Sequence, residues 1–103
     1  MILLDVYTII VYILIMKYKV AMTKTSLKNA QKLGHKEKLV LARLLLDIEE
    51  SGPMQPKYSN FSKLGKDKYH CHLSYHYVAC WYNESGTYKV EVHYVGSRES
   101  APY

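Results

Sequence analysis

The last third of the chain constrains the fold most. Tyr69-His-Cys-His-Leu-Ser-Tyr-His-Tyr-Val-Ala-Cys-Trp81 and Tyr88-Lys-Val-Glu-Val-His-Tyr-Val95 are rich in aromatic and β-branched residues, which suit a pleated, half-buried surface. Between them, Asn83-Glu-Ser-Gly-Thr87 is a turn by composition. The pattern predicts antiparallel strands at 69–73, 77–82 and 88–95. Period-two alternation then places His70 and His72 on one face of the first strand and Tyr69, Cys71 and Leu73 on the other. On the last strand it sets Tyr88, Val90, Val92 and Tyr94 against Lys89, Glu91, His93 and Val95. A tight hairpin would put Cys71 opposite Cys80, where a cross-strand bond is geometrically open. The plainer reading is two small apolar residues of a core, because two thiols make no disulfide framework.

Upstream, Lys17 to Lys24 reads as a strand, and Thr25 or Ser26 is the N-cap candidate of a short helix that Gly34 stops. His35 to Glu50 reads as a second helix, with Leu39, Ala42, Leu45, Leu46 and Ile48 as its apolar face, ended by Ser51-Gly52-Pro53. Met54 to Lys68, polar and carrying four lysines, reads as a loop. The chain of 103 residues is long enough for one core and one domain. The order β-α-α-β-β-β implies an α+β fold, a helical hairpin packed on a small antiparallel sheet.

Residues 1–15 are almost wholly apolar, but they are fewer than the roughly 20 a membrane helix needs, and Asp5 interrupts them. They lack the basic start and cleavage site of a signal peptide. The expectation is that Met16 is the true start and 1–15 an upstream in-frame extension; a membrane anchor is the alternative. The Asn60 and Asn83 sequons carry no meaning without a secretory route.

A net charge of +5 and pI near 9.1 favour an anionic partner, nucleic acid first, although the basic residues are spread along the chain. Eleven tyrosines against one phenylalanine suit half-buried strands and base-stacking surfaces equally. Four of the five histidines fall between positions 70 and 93. His72 and His76 stand at the two ends of the hairpin corner, and Arg98 and Tyr103 follow the last strand, where a tail can fold back across the sheet. Histidine titrates near neutrality, arginine offers a fork matched to two phosphate oxygens, and tyrosine stacks on a base or donates a proton. These are the parts for cutting RNA by attack of a ribose 2′-hydroxyl on the adjacent phosphate. A His-x-His set with His76 also suits a metal, but Asp67 is the one carboxylate nearby and the cysteines are expected on the other strand face. An exposed sheet face decorated with ordinary polar residues is the third reading.

From Lys17 to Tyr103 the chain resembles the RelE/ParE superfamily of toxins from bacterial and archaeal toxin–antitoxin modules. The resemblance is carried by Lys17-Tyr-Lys-Val-Ala-Met-Thr-Lys-Thr-Ser-Leu-Lys-Asn-Ala-Gln-Lys-Leu33, by Lys63-Leu-Gly before Tyr69, and by Tyr94-Val-Gly-Ser-Arg-Glu99 with Tyr103 closing the chain. His72-Leu-Ser-Tyr-His-Tyr-Val-Ala-Cys-Trp81 resembles the YafQ branch without a gap: His72 matches its catalytic histidine, and His76 stands where that branch carries an aspartate. Arg98 matches the late basic position and Tyr103 the terminal aromatic; His70 and His72 occupy the places of two strand lysines of RelE. The resemblance implies catalysis by His72, His76, Arg98 and Tyr103, with RNA or phosphate held by Lys63, Lys66, Lys68 and His70. It implies a cytoplasmic endoribonuclease that cleaves mRNA on the ribosome without metal or other cofactor. A cognate antitoxin silences it, and DNA is met only through the antitoxin complex, with no role for a membrane. Two departures stand out, Val78 where RelE has a mid-sheet arginine and His76 itself. The alternative is a ParE-like gyrase poison or an inactive RNA- or antitoxin-binding homologue, since the fold alone does not set the activity.

Overall fold

The computed structural model describes residues 17–103, so the apolar stretch 1–15 and the expected start at Met16 lie outside the described residues. The elements run β1 (Lys19–Met22), α1 (Lys24–Gln31), α2 (His35–Ser51), β2 (Ser62–Gly65), β3 (Lys68–His72), β4 (Tyr77–Asn83) and β5 (Lys89–Ser97), then a single 3₁₀ turn, Arg98–Ser100. The strands form one sheet in the order β1-β5-β4-β3-β2. The α+β class and the helical hairpin agree with the sequence reading. The sheet is mixed, because β1 pairs parallel with β5 while the other neighbours are antiparallel. It also has a strand more than expected. β2 lies inside the segment read as a loop, since Ser-Lys-Leu-Gly is short and carries no run of β-formers.

The helices cover one face of the sheet. Thr23 caps α1 by accepting from the Ser26 amide, and the fully buried Ser26 hydroxyl donates to the Val92 carbonyl at 2.9 Å, tying α1 to β5. α2 ends at Gly52, whose φ of 98° favours glycine and whose Cα lies so close to the Tyr18 ring that a Cβ would meet it at 2.8 Å. Leu41, Leu44 and Ile48 of α2 pack on Tyr69, Cys71, Ala79, Trp81, Val90, Val92 and Val95, with Leu45 beside them. Leu39 and Leu46 are 59% and 55% exposed and Ala42 is exposed as well, so the apolar face expected for α2 is corrected. Leucines run nearly all round this helix, and periodicity alone could not select the stripe at i, i+3 and i+7.

Two register features position the site. Residues Cys80 and Trp81 face Tyr94 and Val92, so β5 bulges at His93. The extra residue reverses the expected alternation: Val95 joins Val90 and Val92 in the core, and Tyr94 turns to the other face beside Cys80. In the β3–β4 pair, Cys80 lies opposite His70 while Cys71 lies opposite Ala79. The two cysteines therefore occupy opposite faces of the sheet, are both free, and are not the cross-strand pair that a tighter hairpin would have made.

Candidate active site

The sheet face turned away from the helices carries two rows of facing residues, His72–Val78–Gly96 and His70–Cys80–Tyr94. Along β3, Lys68 continues the histidine side by the same alternation. The loop before β2 supports this edge. Asp47 of α2 accepts a hydrogen bond from the Tyr58 hydroxyl and pairs with Lys57 at 3.1 Å, and the Gln55 amide donates to the Asp47 carbonyl at 3.0 Å. The loop so held presents the Ser59 carbonyl to the His72 amide at 2.8 Å, and Ser62 to His70.

His70 is the most enclosed of the histidines on this face, 7% exposed. Its Nδ1 lies 2.9 Å from the Ser62 hydroxyl, its ring centre is 4.5 Å from that of Tyr103, and the His72 ring stands 5.8 Å away. Burial pushes its pKa below the usual histidine value, and a hydrogen bond to the Ser62 backbone opposes that while the charge of His72 adds to it. The Tyr103 phenol is pushed up, chiefly by burial; Cys80 and Tyr94 reinforce this and Arg98 opposes it. Burial also pushes the Cys80 thiol up to about 12, so beneath Tyr103 it is a neutral apolar floor. His93, at the bulge, is lowered by burial first, with Glu91 raising it and Lys68 lowering it.

A second group closes one end of the face. The Arg98 guanidinium lies 4.9 Å above the Tyr75 ring, whose centre is 4.8 Å from that of the near-perpendicular His76 ring, and the Arg98 amide donates to the His76 carbonyl at 2.8 Å. Arg98 and His76 are exposed, so the fork of Arg98 is presented to solvent.

No protein-family model matches the chain, and no curated protein matches it by sequence. Solved structures do. The archaeal RelE–RelB complex from Pyrococcus horikoshii OT3 aligns over 84% of this chain and 100% of that one, with TM-score 0.66 and 17% identity. The chain has the RelE fold. The isolated E. coli RelE toxin covers 82% of this chain and 88% of its own, with TM-score 0.62 and 23% identity. YafQ in the E. coli DinJ–YafQ toxin–antitoxin complex covers 84% and 99%, with TM-score 0.65 and 14% identity.

On this RelE fold the sequence-derived residues fall into three sets. His70, His72 and Tyr103 come together on the open face, and His76 and Arg98 meet through Tyr75 at its end. Lys68 shares the face and acts on His93, and Lys66 sits in the turn before it. Lys63 pairs with Tyr69 and projects to the opposite side, away from the histidines. The expectation that both cysteines lie on the far face is corrected: Cys71 does, but Cys80 lies opposite His70, under the site. Among the described residues, no three His, Cys, Asp or Glu side chains converge as metal ligands would. Sequence reasoning missed Ser62, Tyr75, His93 and Tyr94. Ser62 sits in an unread strand, the bulge conceals His93 and Tyr94, and Tyr75 is one of eleven tyrosines.

Proposed function

We propose that the chain is the toxin of a type II toxin–antitoxin module, a cytoplasmic endoribonuclease that cleaves mRNA at the ribosome and is silenced by a cognate antitoxin. The observation that carries this reading is the grouping of His70, His72 and Tyr103 on an open sheet face with Arg98 at its end. The RelE fold and the antitoxin complexes of the P. horikoshii and YafQ neighbours agree with it. In this reading a histidine takes the proton of the ribose 2′-hydroxyl, whose oxygen attacks the adjacent phosphorus, and a 2′,3′-cyclic phosphate forms as the 5′-oxygen leaves. His72 and His76 are the proton carriers expected from the sequence. Tyr103 carries a phenolic proton close to His70 and can give it to the leaving oxygen, and burial, by raising its pKa, makes it the weaker acid of the group. Arg98 holds the doubly charged phosphorane through its fork, and Lys66 and Lys68 draw in the backbone. No proton step here needs a metal.

Inducible expression tests the assignment. His72→Ala and Arg98→Ala should each relieve growth arrest; undiminished toxicity of both would remove these residues from the site. DNA damage with intact transcripts would instead identify a gyrase poison.

A further inference from the structure

We propose that Tyr82 is a stacking platform for a base of single-stranded RNA beyond the cut site, with Lys19, Lys66, Lys68 and Lys89 holding the phosphates around it. The proposal rests on the ribonuclease reading above. Lys68, Tyr82, Glu91 and Ala21 are direct partners across β3, β4, β5 and β1, so their side chains share a face. Alternation along β4 puts Tyr82 on the same side as Cys80 and Val78, and the row therefore continues the face that carries His70 and His72. Two residues along a strand span about 7 Å, which sets Tyr82 one such step from Cys80, the floor beneath Tyr103. Lys89 and its partner Lys19 follow one row further on.

Tyr82 is 38% exposed on a strand whose Val78, Ala79, Cys80 and Trp81 are wholly buried. It stands between two open hollows and lines both, as does Glu84. One, of about 450 Å³, lies towards β5 and β1 and carries Lys19, Lys89 and Glu91. The other, of about 620 Å³, lies towards β3 and β2 and carries Lys66, Asp67 and Lys68. Each is of a size that takes a small ligand. An aromatic ring open in this way stacks on any base, because every base has a π-face. Among the described residues the one ion pair is Lys57–Asp47, so no carboxylate engages these four lysines and they are free for phosphate. The acids of the hollows have other work. Asp67 accepts the Ser85 hydroxyl at 2.7 Å. Glu84 and Glu91 can only accept hydrogen, so they turn phosphate towards the lysines and suit the amino edge of a stacked base. A single strand can meet this arrangement with a splayed base; a duplex keeps its bases inside the stack.

Fluorescence anisotropy of a short labelled RNA strand, 2′-O-methylated throughout so that no internal attack can occur, reads binding by the full chain. Tyr82→Ala should weaken it about tenfold, the scale of one lost stacked base, whereas Tyr82→Phe should stay within about twofold of the parent. The double variant Lys19→Ala, Lys89→Ala should make log Kd less steep in log salt by about 1.4, as two lost phosphate contacts on a single strand would. Binding of the matching RNA duplex should not respond to Tyr82→Ala, which also shows that this variant is folded. Single-strand binding by Tyr82→Ala as tight as the parent's, Tyr82→Phe as weak as Tyr82→Ala, an unchanged salt slope, or an equal loss on the duplex would overturn the proposal. If Tyr82 governs binding as expected but the unmutated protein cuts no unmethylated RNA, the ribonuclease reading fails and the platform stands.

Discussion

Tyr58→Phe isolates the contact that fastens the pre-sheet loop to α2. The Tyr58 hydroxyl donates to the Asp47 carboxylate, while the Tyr58 ring packs against the core and would stay there as phenylalanine. A hydrogen bond to a charged group contributes about 1.5–3 kcal/mol; both partners reach solvent, which sets the expectation at about 1.5 kcal/mol. For a domain of this size that corresponds to a Tm lower by about 6–12 °C. The Asp47–Lys57 pair cannot substitute, since the Lys57 side chain is 64% exposed and such pairs contribute about 0–1 kcal/mol. The effect has a pH signature. The Tyr58 hydrogen bond, aided by Lys57 and Arg43 and opposed by burial, holds the Asp47 carboxyl below the usual carboxylate range. A depressed carboxyl stabilises the fold above its unfolded pKa of about 3.9, and that contribution is lost as pH falls through the lower native value. The gap between the two proteins should therefore be full at neutral pH and close in acid. Urea and thermal unfolding followed by circular dichroism across that range supply the test. A Tyr58→Phe protein within about 0.5 kcal/mol of the parent, or a gap that widens on acidification, would refute the reasoning.

Three further outcomes follow from the same geometry. If His70 is the proton acceptor, its lowered pKa puts the acidic limb of the RNA-cleavage profile below the ordinary histidine value of about 6.5, because the base form persists to lower pH; single-turnover rates against pH measure it. Both thiols are buried and pushed up to about 12, so thiol reagents should leave the native protein unlabelled and modify Cys71 and Cys80 on adding denaturant. Gly96→Ala would place a Cβ 2.8 Å from the Tyr94 hydroxyl, which donates to the Ser97 carbonyl at 2.7 Å, and should cost about 1–3 kcal/mol in unfolding experiments by displacing that ring.

The strands of the last third and the helical hairpin were legible because their signals are local. Alternation on β3 separates His70 and His72 from Cys71 without knowledge of any neighbour. What the chain concealed depends on pairing. A single extra residue at His93 sends Tyr94 to the site and Val95 to the core, and nothing in Glu-Val-His-Tyr-Val announces a bulge. β2 exists because β3 offers it an edge, not because Ser-Lys-Leu-Gly favours a strand, and with it Ser62 escaped notice. The buried stripe of α2 is chosen by the sheet beneath it from a helix with leucines on several sides. In the candidate site, residue types were readable, whereas the separation of His76 and Arg98 from the His70–His72–Tyr103 group needed the tail and the corner in three dimensions.

The central claim is that this sheet face cuts RNA by internal attack. Mapping of transcript ends after brief induction, with the 3′-terminal chemistry determined, tests it most directly. The account predicts newly cut mRNA ending in 2′,3′-cyclic phosphates in cells making the intact protein, and uncut mRNA in cells making Arg98→Ala. Intact transcripts during growth arrest, or cut ends unaltered by Arg98→Ala, would contradict it.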